Sequence, residues 1–139
     1  MTYYPDLSPY EYLPDSVPAG VRIAAVGWLD PGRDFPTGAV EPEFLANLVT
    51  LAAGHVSAVT RSVHGCRLPH LFDDNFQYGA VYGSRILHLG HAEIRVVAAD
   101  GGWLSAPDLV VHYVRDHAYA PPPEFVEAVL AMRIAPVSA

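Results

Sequence analysis

Proline decides where this chain can be helical. Pro5, Pro9, Pro14 and Pro18 follow one another too closely for a helix in the first twenty residues. Each lacks an N–H and biases the residue before it towards extended backbone. Tyr3, Tyr4, Tyr10 and Tyr12 share the stretch and supply large faces to lay against a body. Residues 1–20 therefore read as an ordered, extended arm. Further along, proline marks boundaries: Asp30-Pro31-Gly32 is a turn, Pro42 suits the first turn of a helix, and Pro121-Pro122-Pro123 stops one.

Between these marks the apolar pattern names the elements. Val21 to Leu29, rich in β-branched and apolar residues, predicts a buried strand. Glu41 and Glu43 suit a helix N-terminus, and Phe44, Leu45, Leu48, Leu51 and Ala52 recur on one helical face until Gly54. From Val81 the pattern turns strand-like. Ile86 to Leu89 is one strand, and Ala92 to Val97 is another, with Ala92, Ile94 and Val96 on one side and His91, Glu93, Arg95 and Val97 on the other. Such a polar face is ordinarily a solvated sheet surface carrying a weak ion pair. Asp100-Gly101-Gly102 is a hairpin turn and Trp103-Leu104 starts the return strand. Ser105 then reads as an N-cap, with Pro107 in the first turn of a helix running to His117. A last helix spans Glu124 to Met132, apolar at Phe125, Val129 and Met132. With no internal repeat or linker, residues 1–139 predict a single α+β domain: a small mixed or antiparallel sheet flanked by about three helices, with a strand–hairpin–helix unit over 91–119.

Composition bounds what such a domain can do. With 51% apolar residues it can bury a core, yet its longest apolar run is broken by Gly27 and falls far short of the ~20 residues of a spanning helix. The net charge is −7, and all eight basic residues are arginines scattered along the chain. No run of them tracks a phosphate backbone, which disfavours nucleic acid and leaves a protein or a small molecule as partner. The single cysteine, Cys66, excludes an internal disulfide. The first residues lack the basic flank and apolar stretch of a signal peptide, so a cytoplasmic location is expected.

Periodicity vanishes from His55 to Tyr78, a segment holding three His, Cys66 and the pair Asp73-Asp74. A loop of that length in a compact domain is functional or disordered, and this content points to function. His64, Cys66 and His70 offer imidazole and thiolate donors at short spacing, a set that suits Zn²⁺. The competing reading is a solvated loop with Cys66 as a small buried hydrophobe, and a third makes Cys66 an activated nucleophile beside a His. A fourth ligand has to come from elsewhere. On the helix before Ala118, His117 falls in the middle of the apolar face set by Leu109, Val110, Tyr113 and Val114. His112 lies ~140° away from it, beside Asp108 and Asp116, either of which could fix its tautomer. The wheel thus predicts that His112 and His117 cannot both meet one ion without distorting the helix, and that His117 is the inward one. His88 and His91, three apart on a strand, point to opposite faces.

Several stretches together resemble a family of small uncharacterised bacterial proteins: Tyr4-Pro5-Asp6-Leu7-Ser8-Pro9-Tyr10, Val26-Gly27-Trp28-Leu29-Asp30 with Phe35-Pro36-Thr37-Gly38, Ala92-Glu93-Ile94-Arg95-Val96, and Ala106-Pro107-Asp108-Leu109 leading into His112-Tyr113-Val114, His117, Tyr119, Pro121-Pro122 and Phe125. The resemblance covers nearly the whole length. It implies a zinc-knuckle-like middle loop of the form G-x-H-x-C-x-x-C, in which His64 and Cys66 match, Pro69 stands at the second cysteine and His70 follows it. Either His70 replaces the lost thiolate or the metal is weakened or lost. The resemblance also implies that His112 and His117 belong to the family pattern, which favours a helix histidine as fourth ligand.

The expected function is a zinc-binding accessory module with a structural ion held by His64, Cys66, His70 and one of His112 or His117. One alternative is a metal-dependent hydrolytic or biosynthetic enzyme with water at the fourth position and Glu93 or Asp73-Asp74 as base. The other is a metal-free interaction module using the acidic surface and exposed tyrosines.

Overall fold

The computed structural model describes residues 2–60, 65–68 and 79–136. Six strands and three helices form among them: β1 (Ile23–Ala25), α1 (Pro42–Gly54), β2 (Val56–Ser57), β3 (Gly79–Tyr82), β4 (Arg85–His88), β5 (Glu93–Val97), β6 (Trp103–Pro107), α2 (Val110–His117) and α3 (Pro123–Leu130). The turn at Asp100-Gly101-Gly102 folds β6 back on β5, with Gly101 at φ +89°. β1 pairs parallel to β6 and β2 antiparallel to β5, giving a mixed sheet of order β1-β6-β5-β2, while β3 and β4 form a separate hairpin. The fold is α+β, as the pattern predicts, and α1 starts and ends where Pro42 and Gly54 place it.

Alternation along the strands sorts the two faces of the sheet. Ile94, Val96, Leu104 and Ala106 enter the main core with Phe44, Leu48 and Leu51 of α1, Phe125 and Val129 of α3, and Val110, Val111 and Tyr113 of α2. Phe44 and Phe125 meet edge to face at 6.2 Å. The opposite face is covered by the N-terminal arm, where Tyr10, Ala25 and Trp28 make a smaller core with Tyr4, Tyr12, Leu13, Val17 and Ile23. The arm is ordered against β1 by backbone bonds: Leu7 N–H to Ala25 C=O at 2.7 Å, Ala25 N–H to Ser8 C=O at 2.8 Å and Tyr10 N–H to Ile23 C=O at 3.2 Å.

The structure corrects several expectations, among them the loop foreseen from His55, in which Val56–Ser57 forms β2 at the edge of the main sheet. The strand foreseen over Val21–Leu29 is only Ile23–Ala25, because Gly27 turns the backbone to φ +75°. Ser105 is not an N-cap: it lies inside β6, flanked by Leu104 and Ala106, whose side chains fill the core, and helix α2 starts only at Val110. The face carrying Glu93 and Arg95 is not solvated. Both side chains are 3% exposed, sealed beneath the arm. Tyr10 Oη donates to Glu93 Oε2 at 2.7 Å, Ser105 Oγ donates to Glu93 Oε1 at 2.7 Å, and Arg95 bonds Glu93 Oε1 at 3.0 Å and Ser16 Oγ at 2.6 Å. Burial pushes the Tyr10 phenol up, and the Glu93 carboxylate it bonds adds to this.

Gly27 joins the arm in a link that reaches Tyr119, just beyond α2. Its N–H donates to Asp6 Oδ1 at 2.9 Å, and the other oxygen of Asp6 accepts Tyr119 Oη at 2.7 Å. A Cβ at Gly27 would stand 3.0 Å from Val110 Cγ2 and 3.4 Å from the Tyr119 ring. Strained φ and crowding act together, so Gly27→Ala is expected to cost about 2 kcal/mol or more. Urea denaturation measures this; an unchanged midpoint would mean that the segment rearranges freely.

Candidate metal centre

Helix α2 presents two histidines, His112 in its first turn and His117 at its end, and the segment 65–68 presents Cys66 to them. Leu68, 5% exposed, is packed into the main core, and Arg67 pairs with Asp30 at 3.1 Å, so the chain immediately after the cysteine is tied down. Cys66 Sγ lies 3.5 Å from His117 Nε2, and His117 Nε2 lies 3.2 Å from His112 Nε2. All three donor atoms fall within 4.8 Å of one another. Cys66 and His112 are buried, and His117 is half-buried.

The convergence of His112 and His117 overturns the helical-wheel expectation. Their rings meet edge to face with centroids 4.9 Å apart, and it is His112, at 0% exposure, that is the inward one. A wheel records Cβ directions about the axis and ignores reach. Side chains on a helix lean back towards its N-terminus, so the imidazole of His117, the last helical residue, reaches over the turn that carries His112. Ala118 then leaves the helix in the left-handed conformation, φ 55°, with its N–H on Tyr113 C=O.

Asp116 sets the chemistry of the site. Its Oδ2 lies 2.8 Å from His112 Nδ1. An Nδ1–H donating there makes Nε2, 3.2 Å from His117 Nε2, the ring's acceptor nitrogen, the arrangement that metal-binding imidazoles use. Arg115 bonds the same oxygen from Nε at 2.9 Å and Nη2 at 2.6 Å. Burial works against the charge of Asp116, but the bonds and charge of Arg115, with His112 adding, hold its carboxyl below the usual range. The i,i+4 spacing of His112 and Asp116 is readable in the sequence. The role of Arg115 is not, because neighbours in sequence do not face each other on a helix. Burial pushes the Cys66 thiol up, against a lowering bond from the Leu68 backbone, with Asp116 pushing the same way as burial. That is the opposite of an activated nucleophile.

The other sequence candidates lie apart or outside the described residues. His64, Pro69, His70 and the pair Asp73-Asp74 fall outside. Glu93, the base in the enzyme reading, faces the arm on the far side of the sheet, its oxygens taken by Tyr10, Arg95 and Ser105. Asp108 does not serve His112; its Oδ1 accepts Gly90 N–H at 2.7 Å and its Oδ2 stands 3.8 Å from His91 Nδ1. Of the tyrosines, Tyr10, Tyr113 and Tyr119 are buried.

A family profile described as a domain of unknown function, DUF7919, matches residues 2–130. The chain belongs to that family. No curated protein and no solved structure matches it. The DUF7919 match takes in the arm, the sheet, all three helices and every residue of the Cys66/His112/His117 group. Among the described residues of this DUF7919 chain, no helix is long and apolar enough to cross a membrane.

Proposed function

We propose that this DUF7919 chain holds one Zn²⁺ through Cys66 Sγ, His112 Nε2 and His117 Nε2, and that the ion is structural, fastening the segment around Cys66 to α2 in a binding or accessory module. The observation that carries this reading is the spacing of the donors. Zn–N bonds of ~2.0–2.1 Å and Zn–S bonds of ~2.3 Å in a tetrahedron put N···N edges at ~3.3 Å and N···S edges at ~3.6 Å. Two of the three edges here are 3.2 Å (His112 to His117) and 3.5 Å (His117 to Cys66), and the third, Cys66 to His112, lies within 4.8 Å. The fourth corner falls to His64 or His70, imidazoles two residues before and four after Cys66.

Elemental analysis of the purified protein tests the proposal. One zinc per chain is expected, with cobalt(II) in its place giving thiolate-to-metal absorption that Cys66→Ser abolishes. His64→Ala and His70→Ala identify the fourth ligand by which of them weakens retention. A chain free of stoichiometric metal, and unable to take cobalt, would refute it. The 3.2 Å between the Nε2 atoms also fits a second, metal-free reading, in which His117 Nε2–H donates to His112 Nε2; that result would establish it.

Asp116→Asn offers a finer test of the geometry. The amide still reaches His112 but cannot match the carboxylate as acceptor, so zinc affinity is expected to fall by about 10–100-fold, measured by competition with a chromogenic chelator. Equal affinity in the variant would leave Asp116 no part in orienting the ligand.

A further inference from the structure

The β3–β4 hairpin stands apart from the metal centre in its chemistry. Its turn, Gly83-Ser84, has glycine at φ +60° in the first central position, the type II′ arrangement for a two-residue connection. Tyr82 and Arg85 flank the turn as a pair, followed by Val81 with Ile86, Ala80 with Leu87 and Gly79 with His88. Hydrogen-bonded and open pairs alternate along an antiparallel ladder, so the N–H and C=O groups of Ile86 and His88 point away from β3. The far edge of β3 is engaged: it packs against α1 and α2, and Gly79 C=O accepts Arg115 Nη1 at 2.5 Å. The edge of β4 is the outer one, and among the described residues no strand pairs with it.

The side chains sort in the same way. Ala80 is buried and Leu87 packs against the main core, whereas the cross-strand pair Val81 and Ile86 faces outward at 73% and 55% exposure. An apolar pair beside an open strand edge is a ready template for another strand. Charge then selects the occupant. Residues 79–88 contain no Asp or Glu, and their charged side chain is Arg85, in a chain of net charge −7. A second copy paired antiparallel on this edge, with Ile86 opposite Ile86 or opposite His88 of the other chain, would bring residues 84–89 of the copy, none of them acidic, and no opposite charge for Arg85. A strand with acidic residues on the face of Arg85 meets complementary charge there.

We propose that the β4 edge takes up an extended segment of a partner protein in which apolar and acidic residues alternate, by strand addition. Backbone bonds form to Ile86 and His88, apolar side chains on one face of the added strand cover Val81 and Ile86, and carboxylates on its other face meet Arg85. The proposal is independent of the zinc reading.

Selection of a random-peptide display library on the full chain tests it. Enrichment of alternating apolar and acidic peptides is expected, with binding that weakens as salt rises. Ile86→Pro should abolish that binding while leaving the hairpin ladder intact, since the lost N–H points away from β3. Arg85→Glu, which leaves the backbone unaltered, should abolish it too. Enrichment of basic peptides, no enrichment, or binding indifferent to both substitutions would overturn the proposal. So would a concentration-dependent dimer abolished by Ile86→Pro, which would make a second copy the occupant.

Discussion

Chelating the metal is expected to lower the thermal midpoint by about 10 °C or more, on the proposed reading of Cys66, His112 and His117. Structural zinc ions contribute folding free energy directly, because the unfolded chain offers no assembled site. Losing only ~3 kcal/mol of that contribution already produces the shift in a domain of this size. Two charge effects add to it. The Cys66 thiol, pushed up by burial, must take back a proton once the ion is gone. The lone pairs of two imidazoles 3.2 Å apart then need a shared proton in place of the metal. Calorimetry with and without chelator measures the effect, and excess zinc should restore the midpoint. Cys66→Ala should reproduce the loss and be insensitive to chelator. A midpoint that does not respond in the wild-type protein would place the stability of this region in packing alone.

Breaking the Glu93–Arg95 pair from one side is the second large effect. Arg95→Met leaves Glu93 buried at 3% exposure without its cation, and an uncompensated buried charge costs about 3–5 kcal/mol. Glu93→Gln should cost less, because the amide oxygen can still accept from one of the two hydroxyls that now donate to the carboxylate, Tyr10 or Ser105, its NH2 can donate to the other, and Arg95 keeps its bonds to Ser16. The double variant should lose less than the sum of the two singles, the signature of direct coupling. Equilibrium unfolding measures all three. Because Arg95 also bonds Ser16 in the arm, Arg95→Met should expose residues 2–20 to limited proteolysis before the rest of the chain. A cost below about 1 kcal/mol, typical of exposed pairs, would mean that water reaches the pair and that the arm does not seal this face.

These two effects fall on opposite sides of one sheet, and the sequence treated them unequally. The zinc-type donors around Cys66 and on α2 were conspicuous as residue types. Glu93 and Arg95 looked like an ordinary wet strand face, because alternation tells which side chains share a face and says nothing of what lies over it. Only the return of the arm across the sheet, with Tyr10 and Ser16 arriving as partners, made that face an interior one.

What the amino-acid order determined unaided is local. Pro42 and Gly54 bound α1, Asp100-Gly101-Gly102 turns the β5–β6 hairpin, the four early prolines keep the arm extended, and His112 with Asp116 at i,i+4 makes an oriented imidazole. Each rests on forces acting within a few residues: missing donors, positive φ and helical pitch. What tertiary structure decided is which of two locally permitted outcomes survived. Ser105 went into a strand because Leu104 and Ala106 had a core to fill on one side and the arm stood over the other. His112 and His117 met because reach and lean along α2 outweighed their angular separation on the wheel. Such choices depend on groups many residues away, as with Cys66 brought 3.5 Å from His117 across 51 positions, and no window along the chain contains both partners.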